Sequence, residues 1–385
     1  MVQNEGEVKI VDDLLTKIVD IIEQFSGPTD IENKYPDELL SALISAKLFK
    51  VNVSKKWGGL ELDWISILYV IREISRRIPA LGLSLCTHIQ AIEYLKRFKP
   101  EIMEEIFSHE DSPIFSLAIT ESVAGTDLKK ISTKIREIDG ILTLEGSKSM
   151  VTNGIYCDYF LVLAKDHNRD FSVVIVRKSK NIEVVAPVDV LGMRGAGIAR
   201  VSFKEVELRE GSILHKGKMA LKNLLSMLSL GRLMTAAIAM GIIETALQEI
   251  FNWATVREVL NRNLIEYDNV KLTIGEIISY SDMLRNYITA TARKLQANKD
   301  ISFNAAVIKF ASSEIAKKAV DFAFRLFASH GYSRGTIIEK LYRDVKALEF
   351  MEGSNEALLN YVFHTINKKF KNNERLLCLF GEDSG

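Results

Sequence analysis

Between Val188 and Gly385 the chain contains no proline; all six prolines (Pro28, Pro36, Pro79, Pro100, Pro113 and Pro187) precede that stretch. Proline removes a backbone donor and clashes within a helix, so its absence from half the chain permits long uninterrupted helices. The apolar spacing favours them. From about Lys216 onward, Leu221, Leu224, Leu225 and Leu228 share one face, as do Ala311, Ile315, Ala319 and Phe322. Stripes of this kind predict several long helices packed as a bundle. The first ~112 residues carry the same period, in Leu39, Leu40, Leu43 and Ile44 and again in Trp64, Ile67, Leu68 and Ile71.

The middle of the chain changes period. Asp139-Gly140 is a hairpin signal between the alternating segments around Ile138 and Ile141–Leu144. Tyr159–Ala164, a polar turn at Asp166–Asp170 and Phe171–Val176 predict a second hairpin, and Ile198–Leu208 alternates again. The expected fold class is therefore α+β and mainly helical. An N-terminal α-helical domain (1–112) precedes a small β-barrel-like domain (113–215), followed by a C-terminal domain of four-helix-bundle type (216–385).

Lysine plus arginine and aspartate plus glutamate each number 50, so the net charge is zero. That balance gives no reason to expect nucleic acid or an anionic membrane as a partner. The longest apolar run, about Leu233–Ile243, falls short of the ~20 residues that cross a bilayer, so it predicts a buried core helix and no membrane insertion. The N-terminus lacks a basic segment leading into an apolar one. The three cysteines (Cys86, Cys157 and Cys378) are far apart and odd in number. Together these features point to reduced thiols in a cytoplasmic protein. The histidines do not cluster, and Cys86-Thr87-His88 is too sparse to hold a metal. No Gly-x-Gly-x-x-Gly follows a strand, Walker A spacing is missing, and no serine or cysteine sits in a nucleophile motif.

Three segments remain as candidates for chemistry. Ile119–Asp127 combines hydroxyl residues with Gly125; it suits a turn before a strand, or a loop that hydrogen-bonds a planar heterocycle or a phosphate. Met150-Val151-Thr152-Asn153-Gly154 suits a strand ending in an Asn-Gly turn. In Phe350–Glu356, Glu352 stands one helical step beyond the stripe of Leu341, Val345 and Leu348, which predicts an inward-pointing carboxylate. Such a group is either held by helix-cap N–H groups around Gly353, Ser354 and Asn355, or is a base whose proton affinity is raised by burial.

The order and spacing of these segments resemble the acyl-CoA dehydrogenase family over nearly the whole chain. Phe115–Asp127 resembles the family's flavin loop, Thr-Glu-x-x-Ala-Gly-Ser-Asp, and Gly146–Asn153 resembles Gly-x-Lys-x-Trp-Ile-Thr-Asn. Trp57-Gly58-Gly59-Leu60, Leu191–Gly195, Val201–Val206, Gly231-Arg232, Arg257, His330-Gly331-Tyr332 and Tyr342-Arg343-Asp344 fall where the family carries comparable residues. The resemblance implies an α–β–α fold, FAD, and a homotetramer or homodimer. It implies α,β-dehydrogenation of an acyl-CoA to the trans-2-enoyl-CoA, with hydride passing to flavin N5 and then to an electron-transferring flavoprotein or similar acceptor. Glu352 would be the α-proton base. Some members place the base just before the helix arginine; here that residue is Gly231, which has no side chain to serve.

By the same resemblance, Leu117, Ile119, Thr120, Gly125, Thr126, Met150, Thr152, Arg257, Arg325, Ser354 and Glu356 would bind the cofactor. Arg257 would reach the FAD phosphates of a neighbouring subunit. Thr126, Arg232 and Gly353 would meet the substrate. The chain departs from the family pattern at Met150 (usually aromatic), at Leu260-Asn261 (Phe-Gly), at Arg325 (Gln) and at Ala328-Ser329 (paired Gly), all on the cofactor side. Alternative readings are a flavin oxidase or monooxygenase on the same fold, and a catalytically silent acyl-CoA-binding relative.

Overall fold

The computed structural model describes residues 5–125, 127–185 and 188–371. Five helices open the chain: α1 (Glu5–Glu32), α2 (Asp37–Ser45), α3 (Trp64–Ser75), α4 (Pro79–Phe98) and α5 (Pro100–His109). Their starts follow local chemistry. Asp63 caps α3 by accepting from Ser66 N at 2.7 Å, and Pro79 and Pro100 occupy the first turns of α4 and α5, where no N–H is needed.

Eight strands follow: β1 (Phe115–Ala118), β2 (Lys134–Ile138), β3 (Ile141–Val151), β4 (Tyr159–Lys165), β5 (Phe171–Arg177), β6 (Ile182–Val185), β7 (Ala199–Glu207) and β8 (Ile213–Lys216). They form one sheet in the order β6-β7-β3-β2-β4-β5-β8, with β1 also paired to β4. The Asp139-Gly140 turn joins β2 to β3 with both residues at positive φ, as its sequence predicts. The Asp166–Asp170 turn joins β4 to β5. Both β1 and β2 run parallel to β4, at Phe115–Ala118 and at Lys134 respectively. The loop between them therefore leaves the sheet where one partner of β4 gives way to the next.

The proline-free half is helical, as expected: α6 (Gly217–Val256), α7 (Asp268–Gln296), α8 (Ser302–Phe327), α9 (Ile337–Ala347) and α10 (Asn355–Lys371), with a small hairpin of β9 (Glu258–Val259) and β10 (Arg262–Asn263) after α6. The 40-residue α6 is the axis of the molecule, packing against α3, α4, α7 and α8. It is long and apolar enough to cross a membrane, yet most of its apolar stretch is buried inside the protein. One stripe is corrected: Leu225 is exposed, and the inward face of α6 runs through Leu224, Met227 and Leu230.

Buried polar groups join the layers. His88 on α4 lies between Phe49 O (2.5 Å) and Phe115 N (3.1 Å), and burial pushes it down to about 4. It is a satisfied core histidine. Asn153 donates to Ser84 O (2.8 Å) and Phe115 O (3.2 Å), so the residue expected merely to turn the chain also ties the sheet to α4. Cys86 and Cys157 are buried and unpaired; Cys378 lies outside the described residues.

Ala328 follows α8 at φ 49°, ψ −128°, a backbone that favours glycine. Ala328→Gly should stabilise the protein by about 1 kcal/mol, read as a higher thermal midpoint.

Candidate active site

Helix α9 starts at Thr336, whose hydroxyl accepts from Glu339 N at 3.2 Å, and its apolar face (Leu341, Val345, with Leu348 just after) is buried. Glu352 is not on that stripe. The helix stops at Ala347, and Glu352 and Gly353 form a left-handed turn with φ of 57° and 101°. The turn, not helical phase, aims the carboxylate inward. It is held from both sides: Arg232 Nε on α6 donates to Glu352 O (3.0 Å), and Lys309 Nζ on α8 donates to Gly353 O (2.8 Å) and Glu349 O (3.3 Å).

With its carbonyls drawn to these cations, the turn directs the Glu352 side chain towards α4. There Gln90 Nε2 donates to Glu352 Oε2 at 3.1 Å and to Met227 O at 2.9 Å. Among the described residues no donor reaches Oε1. Helix-cap N–H groups do not hold this carboxylate, because α10 is capped by Ser354, whose hydroxyl accepts from Ala357 N at 3.3 Å. Burial raises the Glu352 carboxyl; Arg232, Gln90 and Lys309 pull it part of the way back, leaving it at about 7.

Gly231 faces the same spot. A methyl group at 231 would collide with Glu352 Oε2 and Cδ and with Gln90 Nε2. The position is thus filled by the carboxylate of Glu352, and only glycine lets the turn and α6 approach so closely.

The Ile119–Asp127 segment is braced by a buried ion pair. Glu121 accepts from the N–H and hydroxyl of Ser132 (both 2.7 Å), from those of Thr133 (3.0 and 2.7 Å), and from Lys148 Nζ (2.8 Å). Lys148 also donates to Ile119 O at 3.1 Å, and Ser149 N to Thr120 O at 2.9 Å. Burial opposes the charge on Glu121, but Lys148 and Ser132 outweigh it and hold the carboxyl down at about 2. Breaking one side of such a pair costs about 3–5 kcal/mol. Lys148→Met should accordingly lower thermal stability by that order and free the loop to proteolysis.

Leu117 on β1 and Ile119 and Thr120 on this braced loop are partly buried, and Gly125 is exposed. Thr126 lies outside the described residues. Met150 has φ 54° and is 51% exposed where a bulge interrupts β3–β7 pairing. Thr152 accepts from Ser116 Oγ through its carbonyl at 2.6 Å. The hydroxyls of Thr120 and Thr152 have no partner among the described residues. Arg257 and Arg325 are not brought to this place. Arg257 caps the far end of α6, roughly 37 Å from Arg232 at a rise of about 1.5 Å per residue. Arg325 pairs with Asp321 at 3.0 Å on an exposed face of α8. Glu356 is exposed on the first turn of α10.

Comparison with known proteins decides the family. Residues 16–103, 116–206 and 221–366 match, in order, the N-terminal, middle and C-terminal domains of acyl-CoA dehydrogenases. The chain belongs to the acyl-CoA dehydrogenase family. Among its relatives, an acyl-CoA dehydrogenase of Bacillus subtilis (strain 168) is 26% identical over 363 residues, covering 90% of this chain and 93% of that protein. The "Caffeyl-CoA reductase-Etf complex subunit CarC" of Acetobacterium woodii is 23% identical over 358 residues, covering 90% and 92%. The structure of butyryl-CoA dehydrogenase from Megasphaera elsdenii superposes with a TM-score of 0.89 at 22% identity, covering 95% of this chain and 99% of that one.

Members of the family are FAD-dependent flavoproteins, and this chain is an oxidoreductase of that kind. The residues present fit a flavin. Unpartnered Thr120 and Thr152 hydroxyls suit the polar edge of a heterocycle, and Leu117, Ile119 and Met150 suit its apolar face.

Two residues around Glu352 escape a reading of the sequence. Lys309 has a signal: it is a lone lysine between the buried Ile308 and the buried Ser312 and Ser313 of α8. Gln90 has none, since nearly all of α4 is buried and every face looks alike.

Proposed function

We propose that this protein is an acyl-CoA dehydrogenase that removes one hydrogen from each of Cα and Cβ of an acyl-CoA thioester, with Glu352 as the α-proton base. The observation that carries the reading is the half-buried Glu352 carboxylate, set beside α4, α6 and α8, with Oε2 tied to Gln90 and Oε1 open to receive a proton. Bound FAD supplies the two-electron acceptor for the hydrogen leaving Cβ. Thr120, Gly125, Thr126 and Thr152, with Leu117, Ile119 and Met150, would hold it, and Ser354 and Glu356 would lie towards its adenosine end. Arg232 and Gly353, beside the base, would meet the thioester. Burial of the side chain raises the proton affinity of the carboxylate into the neutral range.

A homotetramer or homodimer is part of this proposal. The distance of Arg257 from the Glu352 site supports a role towards a neighbouring subunit's FAD. So does the nearby hairpin tip, where Leu260 is 87% exposed, and the bare apolar surface of Leu272 and Met283 on α7. An electron-transferring flavoprotein is the proposed acceptor, supported by the name of the Acetobacterium woodii relative. Cytoplasmic placement rests on the unpaired buried thiols, and the domain limits 1–112, 113–215 and 216–385 belong to the same reading.

Activity requires the ionised carboxylate. Since burial raises Glu352 to about 7, turnover should fall tenfold per unit as the pH drops below that value. A pH profile of kcat with an artificial electron acceptor checks this; turnover that is unchanged down to about pH 5 would contradict the assignment.

A further inference from the structure

We propose that Lys309 is a positioning residue for the reaction, its ammonium clamping the turn that carries the α-proton base. This rests on the reading of Glu352 as that base. Lys309 is fully buried in the middle of α8. Three acceptors converge on Nζ: Gly353 O at 2.8 Å, Asn355 Oδ1 at 2.9 Å and Glu349 O at 3.3 Å. They come from before, within and after the Glu352 turn. Asn355 is fixed in its turn, exchanging hydrogen bonds with Ser313 and donating to Glu314 Oε1 at 2.9 Å.

An ammonium has three N–H donors and no lone pair, whereas an amine has two donors and a lone pair. Only the protonated form satisfies all three acceptors; the neutral form turns a lone pair against one of them. Arg232 holds the preceding carbonyl from the opposite side. The turn that carries the base is therefore held by two cations, and Lys309 acts through that turn without touching the substrate's reacting atoms.

The charged groups facing Lys309 are Arg232 from α6, Glu349 and Glu352 from the turn and Glu356 from α10. Burial lowers its proton affinity most, Glu352 opposes that, and the balance lies at about 8. Arg232 stays charged, and burial pushes the neighbouring Cys86 thiol well up, so once Glu352 has ionised at about 7 the next member of this cluster to lose a proton is Lys309. Loss of its charge also removes a cation that favours ionised Glu352.

The test is kcat and KM of the FAD-loaded protein between about pH 6 and pH 10, with Lys309→Met, Lys309→Arg and Glu352→Gln alongside. Wild type should lose turnover on an alkaline limb near pH 8. Lys309→Met should lack that limb, show kcat roughly 10- to 100-fold lower with KM within about twofold, and have its acid limb displaced upward. Lys309→Arg, permanently charged, should lack the limb and recover much of kcat. A wild-type profile that stays level to pH 10 overturns the proposal even if neither variant folds. An alkaline limb unchanged in Lys309→Met also overturns it, assigning the limb to Lys148, whose burial depresses it to about 8 as well. An active Glu352→Gln would instead remove the underlying base assignment; an inert one with a level wild-type profile removes Lys309 alone.

Discussion

Glu352→Gln should lose turnover by roughly 10²–10⁴-fold, the range that a positioned general base contributes, while keeping its FAD and its thermal midpoint. The substitution changes little else. Glutamine preserves the shape of the side chain, and the turn is held through backbone carbonyls by Arg232 and Lys309. The amide can still accept from Gln90 through its oxygen. What it loses is a basic oxygen near neutrality. Removing the charge also relieves the burial that raises this carboxyl, so the variant should be no less stable than wild type. Pre-steady-state reduction of bound flavin by an acyl-CoA separates the chemical step from product release. A variant that reduces its flavin at the wild-type rate would sink the role given to Glu352.

The second large effect is expected at a residue with no side chain. Gly231→Ala puts a methyl group where Glu352 Oε2, Glu352 Cδ and Gln90 Nε2 now lie. Alanine gains about 1 kcal/mol of helix propensity over glycine inside α6, and overpacking costs about 1–3 kcal/mol, so net stability should change little. Turnover should change far more. Shifting a base by about 1 Å costs on the order of 10²-fold, and both the carboxylate and the amide that orients it must move. The measurements are kcat and thermal midpoint on the same preparation. Loss of stability without loss of kcat would mean that the turn yields and the base does not.

The contrast between these two residues shows what the sequence can convey. Helices follow from local rules: apolar stripes in the proline-free half point to α6, α8 and α9, and Asp139-Gly140 to the β2–β3 hairpin, because apolar period and turn chemistry act within a few residues. Helical phase was less secure. Leu225 is exposed although it sits on an apolar stripe, since the partner helices choose which edge of the stripe they cover. Glu352 points inward, but not through helical phase. It lies past the end of α9 in a left-handed turn built by Arg232 and Lys309, residues 120 and 43 positions earlier in the chain. Contacts at that separation leave little local mark, for Lys309 no more than a lone charge among buried residues of α8. Gln90 left none at all, while the Glu121–Lys148 brace was visible only as two letters of separate motifs.

The step at issue is removal of a thioester's α-proton by the half-buried carboxylate of Glu352 in a flavin-loaded protein. It is tested most directly by anaerobic titration of the FAD-loaded protein with a panel of saturated acyl-CoAs, wild type beside Glu352→Gln. At least one acyl-CoA should bleach the flavin absorbance of wild type and yield the 2-enoyl thioester, and the variant should bind the same compound with its flavin still oxidised. Equal bleaching in both proteins, or a wild type whose flavin no acyl-CoA reduces, would contradict it.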